Sequence, residues 1–253
     1  MFSGEFDGES DGARPLGAST YFNRLAQRVS AALSVPTAEG ALYEVDTRLR
    51  PSGAQGPIAV SFSGFERYQM EQAWTWEHMA LCRARPLFGS AEARARLQEI
   101  IRAALLKPRD PAKLLKDVIE MRADMARHKS AKGLLDVKLA RGGLVDLEFV
   151  VHHQQLRYGE GLVSAMEVAI EQLVDAGRLP AALIAAREAL ARLLVAARLI
   201  APDGEVPPPA ACEVLAKACL CSDWNAVLAG IEDARRAVAA AWAEVFGETL
   251  EVT

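Results

Sequence analysis

The feature that most constrains this chain is a change of hydrophobic period near Ser63. Apolar residues fall at every second position from Tyr43 to Leu49, whereas beyond Ser63 they recur every three to four residues almost to the C-terminus. A period of two is typical of a half-buried strand, and a period near 3.6 is typical of an amphipathic helix. The sequence therefore predicts an α+β protein that is mostly α, with a small sheet near its N-terminus.

A polar boundary divides the predicted helices into two groups. The stretch KPRDPAK, residues 107–113, interrupts the apolar pattern, and within it Asp110 and Pro111 are suited to cap and open a new helix. We expect residues 1–107 to form one domain and residues 108–253 to form a helical bundle domain.

Composition and charge argue against several classes of function. The 253 residues carry a formal net charge of −4, so no overall positive field attracts nucleic acid. The N-terminus is acidic and glycine-rich, unlike a signal peptide. Four charged residues interrupt the most apolar window, 179–201, which a membrane-spanning helix would seldom tolerate. The four cysteines lack zinc-site spacing. We therefore expect a cytoplasmic protein with reduced cysteines and no nucleic-acid or membrane partner.

The segment YEVDTRLRPSG, residues 43–53, carries the clearest chemical signal. We expect it to be a strand paired, across the turn PSGAQGP, with a second strand IAVSF at 58–62. In a strand Glu44, Asp46, Arg48 and Arg50 would share one face. A carboxylate flanked by arginines offers a Mg²⁺ ligand and contacts for phosphate charge, as phosphoryl or nucleotidyl transfer requires. The alternative is a solvated strand face with cross-strand ion pairs.

Four residues on the next helical stretch are weaker candidates. Trp74 and Trp76 lie at helical spacing, where aromatic residues more often belong to a core than to a nucleotide site. Arg83 and Arg85 either extend an anion-binding surface or are ordinary exposed arginines.

The segment RGGLVDLEFVVHH, residues 141–153, raises further alternatives. Its two glycines permit an anion at a helix start or, equally, close packing of the two domains. Asp146 and Glu148 suit the first turn of the helix, which favours a structural role. His152 and His153 do not share a helix face, so we expect them to be structural or solvent-facing instead of metal ligands.

Three motifs in this order resemble one enzyme family. They are YEVDTRLRPSG, then FERYQMEQAWTWEHMALCRAR, then DVKLARGGLVDLEF. Together they are similar to the C-terminal, adenylylating half of glutamine synthetase adenylyltransferase, from about Pro15 to near the C-terminus. The forms RLRPSG and AWTWEH resemble the adenylylating copy of its two related halves more than the deadenylylating copy.

The resemblance implies a nucleotidyltransferase domain of the DNA polymerase β type followed by a helical domain. It also implies ATP as substrate, Mg²⁺ or Mn²⁺ as cofactor, and AMP transfer to a tyrosine of glutamine synthetase. Asp46 matches the third catalytic carboxylate and would bind metal, with Glu44 as a second ligand. The nucleotide contacts it implies are Arg48, Arg50, Ser52, Arg83 and Arg85.

Two aspartates that the family carries on a preceding strand have no match in this chain, and the acidic residues between Glu5 and Asp11 are not in that context. We therefore expect a partial nucleotidyltransferase domain that is inactive alone, because one aspartate cannot hold two metal ions in geometry. A sheet edge left without that strand would favour self-association. The alternative function is a helical binding module that contacts glutamine synthetase or a PII-type signalling protein. A related uridylyltransferase is disfavoured by AWTWEH.

Overall fold

The computed structural model describes residues 8–41, 43–202 and 205–252. The described residues are mostly helical and include one two-stranded antiparallel sheet, so the predicted fold class, α+β and mostly α, is confirmed. The chain divides into two compact units, the first ending at Lys107 and the second beginning at Pro108.

The first unit contains a long helix, the small sheet, a 3₁₀ turn and three further helices. In chain order they are α1 (Ala18–Ser34), β1 (Pro36–Thr37), β2 (Gly40–Ala41), the 3₁₀ turn (Gly53–Gln55), α2 (Phe62–Glu71), α3 (Thr75–Leu81) and α4 (Ala91–Leu105). Helices α2 and α3 both pack against α4. The serine hydroxyls of Ser61 and Ser90 cap α2 and α4, as polar residues before an apolar run commonly do.

The predicted hairpin is wrong. Strands β1 and β2 have only two residues each, and Tyr43 to Leu49 lies outside them, without regular structure up to Thr47 and in a turn at Arg48 and Leu49. Ser61 caps α2, so IAVSF does not form the second strand either. A two-stranded hairpin is marginal in water unless its apolar face is covered, and here Tyr43 and Leu49 are 61% and 63% exposed.

The second unit is a helical bundle. Its helices are α5 (Pro111–His128), α6 (Leu144–Tyr158), α7 (Met166–Asp175), α8 (Ala182–Ile200), α9 (Pro209–Ala218) and α10 (Trp224–Phe246). Helix α10 packs against α6, α8 and α9, while α5 packs against α6. Asp110 caps α5 by accepting from the backbone N–H groups of Ala112 and Lys113, and Pro111 opens the helix as expected.

Helix α6 is the centre of this bundle. Eleven of its fifteen residues are buried, including the polar side chains of Asp146, His152 and His153. A helix that is buried on nearly all sides must satisfy its polar groups from within the protein, since water cannot reach them.

Candidate functional site

Asp46 and Arg48 form a closed pair on the surface of the first unit. The Nε of Arg48 donates to both carboxylate oxygens of Asp46, at 2.9 and 3.0 Å, and Nη2 donates to Oδ2 at 2.6 Å. The backbone N–H of Arg48 also donates to Oδ1 at 2.9 Å. These bonds lower the pKa of Asp46 from 3.8 to about 2. The carboxylate is therefore ionised at neutral pH, and both of its oxygens are already engaged.

Two acidic residues, Asp46 and Glu44, act on Arg48. Its bonds to Asp46 raise its pKa, and the charge of nearby Glu44 adds to the effect. The side chain of Arg48 is 81% exposed, so it is accessible to a ligand from solvent. A ligand anion at this position would compete with Asp46 for the guanidinium group.

Arg50 closes the turn that follows. Its Nε donates to the carbonyl of Gly56 at 2.9 Å, Nη2 to the carbonyl of Ala54 at 3.1 Å, and Nη1 to both the carbonyl and the hydroxyl of Thr47 at 2.8 and 3.0 Å. All three guanidinium nitrogens therefore donate to this turn. Arg50 thus organises residues 47–56, and its role as a nucleotide contact stays a prediction.

The same turn depends on a glycine. A Cβ at Gly56 would lie 1.9 Å from the carbonyl oxygen of Pro51, so no other residue fits at position 56. Ser52 has the left-handed conformation, with φ +61°, and its side chain is exposed.

A buried carboxylate ties the turn to the helices behind it. Glu77 accepts from the hydroxyl of Tyr68 at 3.0 and 3.1 Å and from the backbone N–H of Trp74 at 2.9 Å. Burial and this carboxylate raise the pKa of Tyr68, while a backbone hydrogen bond from Ser52 to the Tyr68 oxygen acts in the opposite direction. Ser52, Tyr68 and Glu77 therefore connect the turn to α2 and α3, a connection that the sequence analysis missed. Glu77 is the third residue of α3, where a glutamate can reach back to the backbone N–H before the helix, and this position could have predicted its bond to Trp74 but not the bonds to Tyr68.

A cavity of about 310 Å³ with a mixed polar and apolar lining lies beside this turn. The segment from Pro51 to Ser61 lines one wall, and side chains of α1 and α2, among them Asn23, Arg67 and Tyr68, line the others. Asn23 fixes that wall by donating to the carbonyl of Ala59 and accepting from its N–H. The cavity is within the lower range for small-molecule sites.

The remaining predicted site residues lie at the surface of the first unit. Arg83 and Arg85 are exposed after α3, and Glu44 is exposed beside Arg48. The prediction that Trp74 and Trp76 belong to a core is wrong: they are 70% and 41% exposed. On α3 the polar Glu77 and His78 are buried together with Met79 and Leu81.

The donor set of this region does not fit a divalent metal ion. Glu44 and Asp46 supply two carboxylates, and Asp46 is held by Arg48 on both oxygens. Among residues 8–41, 43–202 and 205–252 no three histidine, cysteine or acidic side chains come together in a way that could hold a metal. Of the acidic residues near the N-terminus, Glu5 and Asp7 lie outside the described residues. A Mg²⁺ or Mn²⁺ site needs more oxygen ligands than these two side chains provide.

The Gly-Gly segment holds helices together within the second unit. A Cβ at Gly142, where φ is +74°, would lie 2.4 Å from the carbonyl oxygen of Arg235 on α10. Nε of Arg235 donates to the carbonyl of Arg141 at 2.9 Å. The backbone N–H of Gly142 donates to Asp146 at 2.7 Å, so the helix start is occupied by the protein's own carboxylate. These contacts show packing of the Gly-Gly segment and α6 against α10, within the second unit.

Asp146 has the structural role that its position suggested, through a partner that we did not predict. Besides Gly142 it binds the guanidinium group of Arg122 on α5. Arg122 continues the buried stripe of Leu114 and Val118 at four-residue spacing. The position of the charged Arg122 on an apolar stripe of α5 was the sequence signal from which this buried ion pair could have been predicted.

His152 and His153 are both buried, so the structural alternative holds and the solvent-facing one is wrong. Nδ1 of His152 lies 2.7 Å from the side-chain oxygen of Gln155. His153 packs edge-on against Phe246, with ring centroids 5.0 Å apart. Burial, with the charge of Arg157, lowers the pKa of His153 from 6.5 to about 4, so it is neutral at physiological pH.

Comparison with known proteins points to one enzyme family. Residues 1–100 match the family model described as glutamate-ammonia ligase adenylyltransferase. The chain is 52% identical over 148 residues to the bifunctional glutamine synthetase adenylyltransferase/adenylyl-removing enzyme of Agrobacterium fabrum, and 53% identical over 148 residues to that of Brucella suis; each match covers 58% of the chain. The enzyme of Rhodopseudomonas palustris strain HaA2 is 41% identical over 210 residues, or 82% of the chain.

These matches cover only 15% to 20% of the length of the relatives. They confirm the resemblance expected from the three motifs, and the chain corresponds to a part of those enzymes. None of the helices in the described ranges is both long and apolar enough to cross a membrane.

Proposed function

We propose that this chain, whose relatives are glutamine synthetase adenylyltransferases, supplies an anion-binding part of such an enzyme and does not transfer AMP by itself. The observation that carries the proposal is the state of Asp46, whose two oxygens are bound by Arg48 in a region where no three metal-ligating side chains meet among the described residues. An adenylyl transfer centre of the metal-dependent type needs carboxylates free to bind metal.

In this proposal the ligand anion is the triphosphate of ATP. Arg48 is the first contact, because its side chain is exposed and its paired carboxylate can be displaced by a stronger anion. Arg85, Arg83 and Ser52 extend the surface, and Arg50 acts by holding the turn in shape. Asp46 and Glu44 remain the carboxylates that match the family pattern, and we derive no metal-dependent step from them.

Titration of the full chain with ATP tests this anion site. We expect saturable binding that Arg48→Glu weakens by about tenfold or more, since the substitution replaces an attractive charge with a repulsive one. Arg96→Glu is the matched control, because Arg96 is also an exposed, ion-paired arginine but lies on α4. If ATP does not bind, or if both variants weaken it equally, the 44–52 segment is not a nucleotide site.

A second candidate is binding of glutamine synthetase without catalysis. A groove of about 630 Å³ between α7 and α8 favours it. Its apolar lining includes Val195 and Leu199, which are 61% and 80% exposed, and acidic residues such as Glu171 lie at its edge. Exposed apolar surface on a helix bundle often marks a protein-binding site.

Retention of glutamine synthetase on the immobilised chain, in the absence of ATP, tests this second candidate. Val195→Glu should abolish retention, whereas Val214→Glu, an equally simple change at an exposed valine outside the groove, should leave it unchanged. A PII-type protein serves as the alternative ligand in the same assay. If Val195→Glu retains glutamine synthetase as well as the unmodified chain does, the groove is not the contact surface.

A further inference from the structure

The C-terminal end of helix α9 carries two cysteines in an unusual turn. Cys219 caps the helix, and the backbone N–H of Cys221 donates to the carbonyl of Ala216 at 2.9 Å while that of Leu220 donates to Lys217 at 3.0 Å. This is the double hydrogen bond of a Schellman ending, in which the residue after the cap takes the left-handed conformation. Leu220 occupies that position, with φ +59°, although glycine is the usual residue there.

The turn brings the thiol of Cys221 back to the backbone of Cys219. The Sγ of Cys221 folds back and donates to the carbonyl oxygen of Cys219 at 3.7 Å. Because the residues are two apart along a chain that turns back, their Cα atoms are within about 6 Å of each other, inside the range that a disulfide spans. Both cysteines are partly accessible, whereas Cys82 and Cys212 are buried.

The surroundings of Cys219 disfavour its thiolate form. Burial, together with the neighbouring Cys221, raises the pKa of the Cys219 thiol, and the guanidinium of Arg192 acts in the opposite direction. A thiol with a raised pKa is slow to attack an oxidant but can still resolve an oxidised neighbour. Leu220 between them is 76% exposed, so a small oxidant reaches the turn from solvent.

We propose that Cys219 and Cys221 form a redox-active dithiol, which a hydroperoxide converts to an intramolecular disulfide. The thiolate of Cys221 attacks one peroxide oxygen, the O–O bond breaks, and the other oxygen leaves as water after taking a proton. The resulting sulfenic acid is attacked by the sulfur of Cys219, which forms the S–S bond and releases a second water. Two thiols are oxidised, one hydrogen peroxide is reduced to two waters, and a thiol reductant reverses the change.

The disulfide would act on the end of α9, which packs against α8 and α10. It replaces the Sγ contact of Cys221 with a short ring that includes the left-handed residue Leu220. The dithiol lies in the second unit of the chain, whereas the proposed nucleotide site lies in the first.

Peptide mapping after mild oxidation tests the dithiol directly. Trypsin places Cys219 and Cys221 together in the peptide 218–235, whereas Cys82 and Cys212 fall in other peptides. The reduced chain is treated with hydrogen peroxide, quenched with catalase, denatured, alkylated with N-ethylmaleimide and digested. We expect peptide 218–235 to lose both alkyl groups and two hydrogens, and to regain both sites after reduction, while Cys82 and Cys212 stay alkylated.

Two serine variants keep this test decisive. In Cys221→Ser the remaining Cys219 should still be alkylated by N-ethylmaleimide after the same oxidation, because it lacks its disulfide partner. In Cys212→Ser the cross-link in peptide 218–235 should form as before. The proposal is overturned if the peptide keeps both alkyl groups, if it gains oxygen without losing two hydrogens, or if the cysteines cross-link different chains.

Discussion

Arg122 and Asp146 form an ion pair that is closed off from water. Nε of Arg122 lies 2.5 Å from Oδ1 of Asp146, and the two side chains are 2% and 0% exposed. The second oxygen of Asp146 accepts from the backbone of Gly142. The pair thus joins α5, α6 and the Gly-Gly segment, and each member depends on the other because a buried charge without its partner is costly.

Loss of Asp146 should therefore destabilise the second unit strongly. We expect Asp146→Ala to lower the free energy of unfolding by about 3 to 5 kcal/mol, since it leaves the guanidinium of Arg122 buried and unpaired. Urea unfolding measures the change. The double variant Arg122→Met/Asp146→Leu should recover most of it. Glu120→Ala, which removes one member of the exposed Lys116–Glu120 pair, should change stability by less than about 0.5 kcal/mol. Equal losses for Asp146→Ala and Glu120→Ala would contradict this.

Gly142→Ala should be far more damaging than the same change at Gly177. Both glycines have positive φ, +74° and +69°, so an alanine at either position adopts a left-handed conformation that costs about 1 kcal/mol of backbone strain. At Gly142 the new Cβ would also meet the Arg235 carbonyl at 2.4 Å, whereas nothing lies within 4 Å at Gly177. Thermal unfolding of the two variants separates strain from steric overlap. A midpoint for Gly142→Ala equal to that for Gly177→Ala would show that α10 can move away without cost.

The sequence was sufficient to predict the helices because each carries its own periodic pattern and, in several cases, its own cap. It was not sufficient for the segment around Asp46. Alternation from Tyr43 to Leu49 satisfies the rule for a strand, but a strand also needs a neighbour and a layer beneath it, which a local pattern does not specify. The sequence pointed to the charged residues of this segment but not to their arrangement. Asp46 and Arg48 bind each other, and Arg50 donates to backbone carbonyls of the turn.

Local sequence patterns also did not predict which polar residues pair with each other in the core. Arg122 and Asp146 are 24 positions apart, and no spacing rule connects residues of different helices. The burial of α3 was mispredicted as well. Trp74 and Trp76, which the pattern placed in a core, are exposed, while Glu77 is buried. Tertiary packing decided both cases.

Lowering the pH should reduce the stability of the protein through protonation of His153. Its pKa falls from 6.5 in the unfolded chain to about 4 in the folded one, so the unfolded state binds more protons between these values and stability drops as pH falls. Between pH 7.5 and pH 5 the expected loss from this residue is about 2 kcal/mol. His153→Leu should remove that part of the pH dependence in urea titrations. His128→Gln, at an exposed histidine of α5, should not. An unchanged pH profile in His153→Leu would refute the assignment.

Leu220→Gly should stabilise the protein. The residue is in the left-handed conformation with its side chain largely exposed, so glycine relieves strain of about 1 kcal/mol and loses little burial. Leu199→Gly is a control of opposite sign. Leu199 is as exposed but helical in α8, where glycine is unfavourable. Urea midpoints should rise for the first variant and fall for the second; a fall in both would mean that Leu220 makes contacts which outweigh its backbone strain.

Transfer of AMP is the measurement that tests the central claim most directly. The full chain is incubated with glutamine synthetase, Mg²⁺ and ATP labelled in the α-phosphate, beside an Asp46→Asn variant and a full-length relative as positive control. The proposed function predicts that the relative labels glutamine synthetase, and that this chain and its variant give the same background. Label transferred by the folded chain and lost in Asp46→Asn would show that the chain is an adenylyltransferase on its own, and would contradict the account.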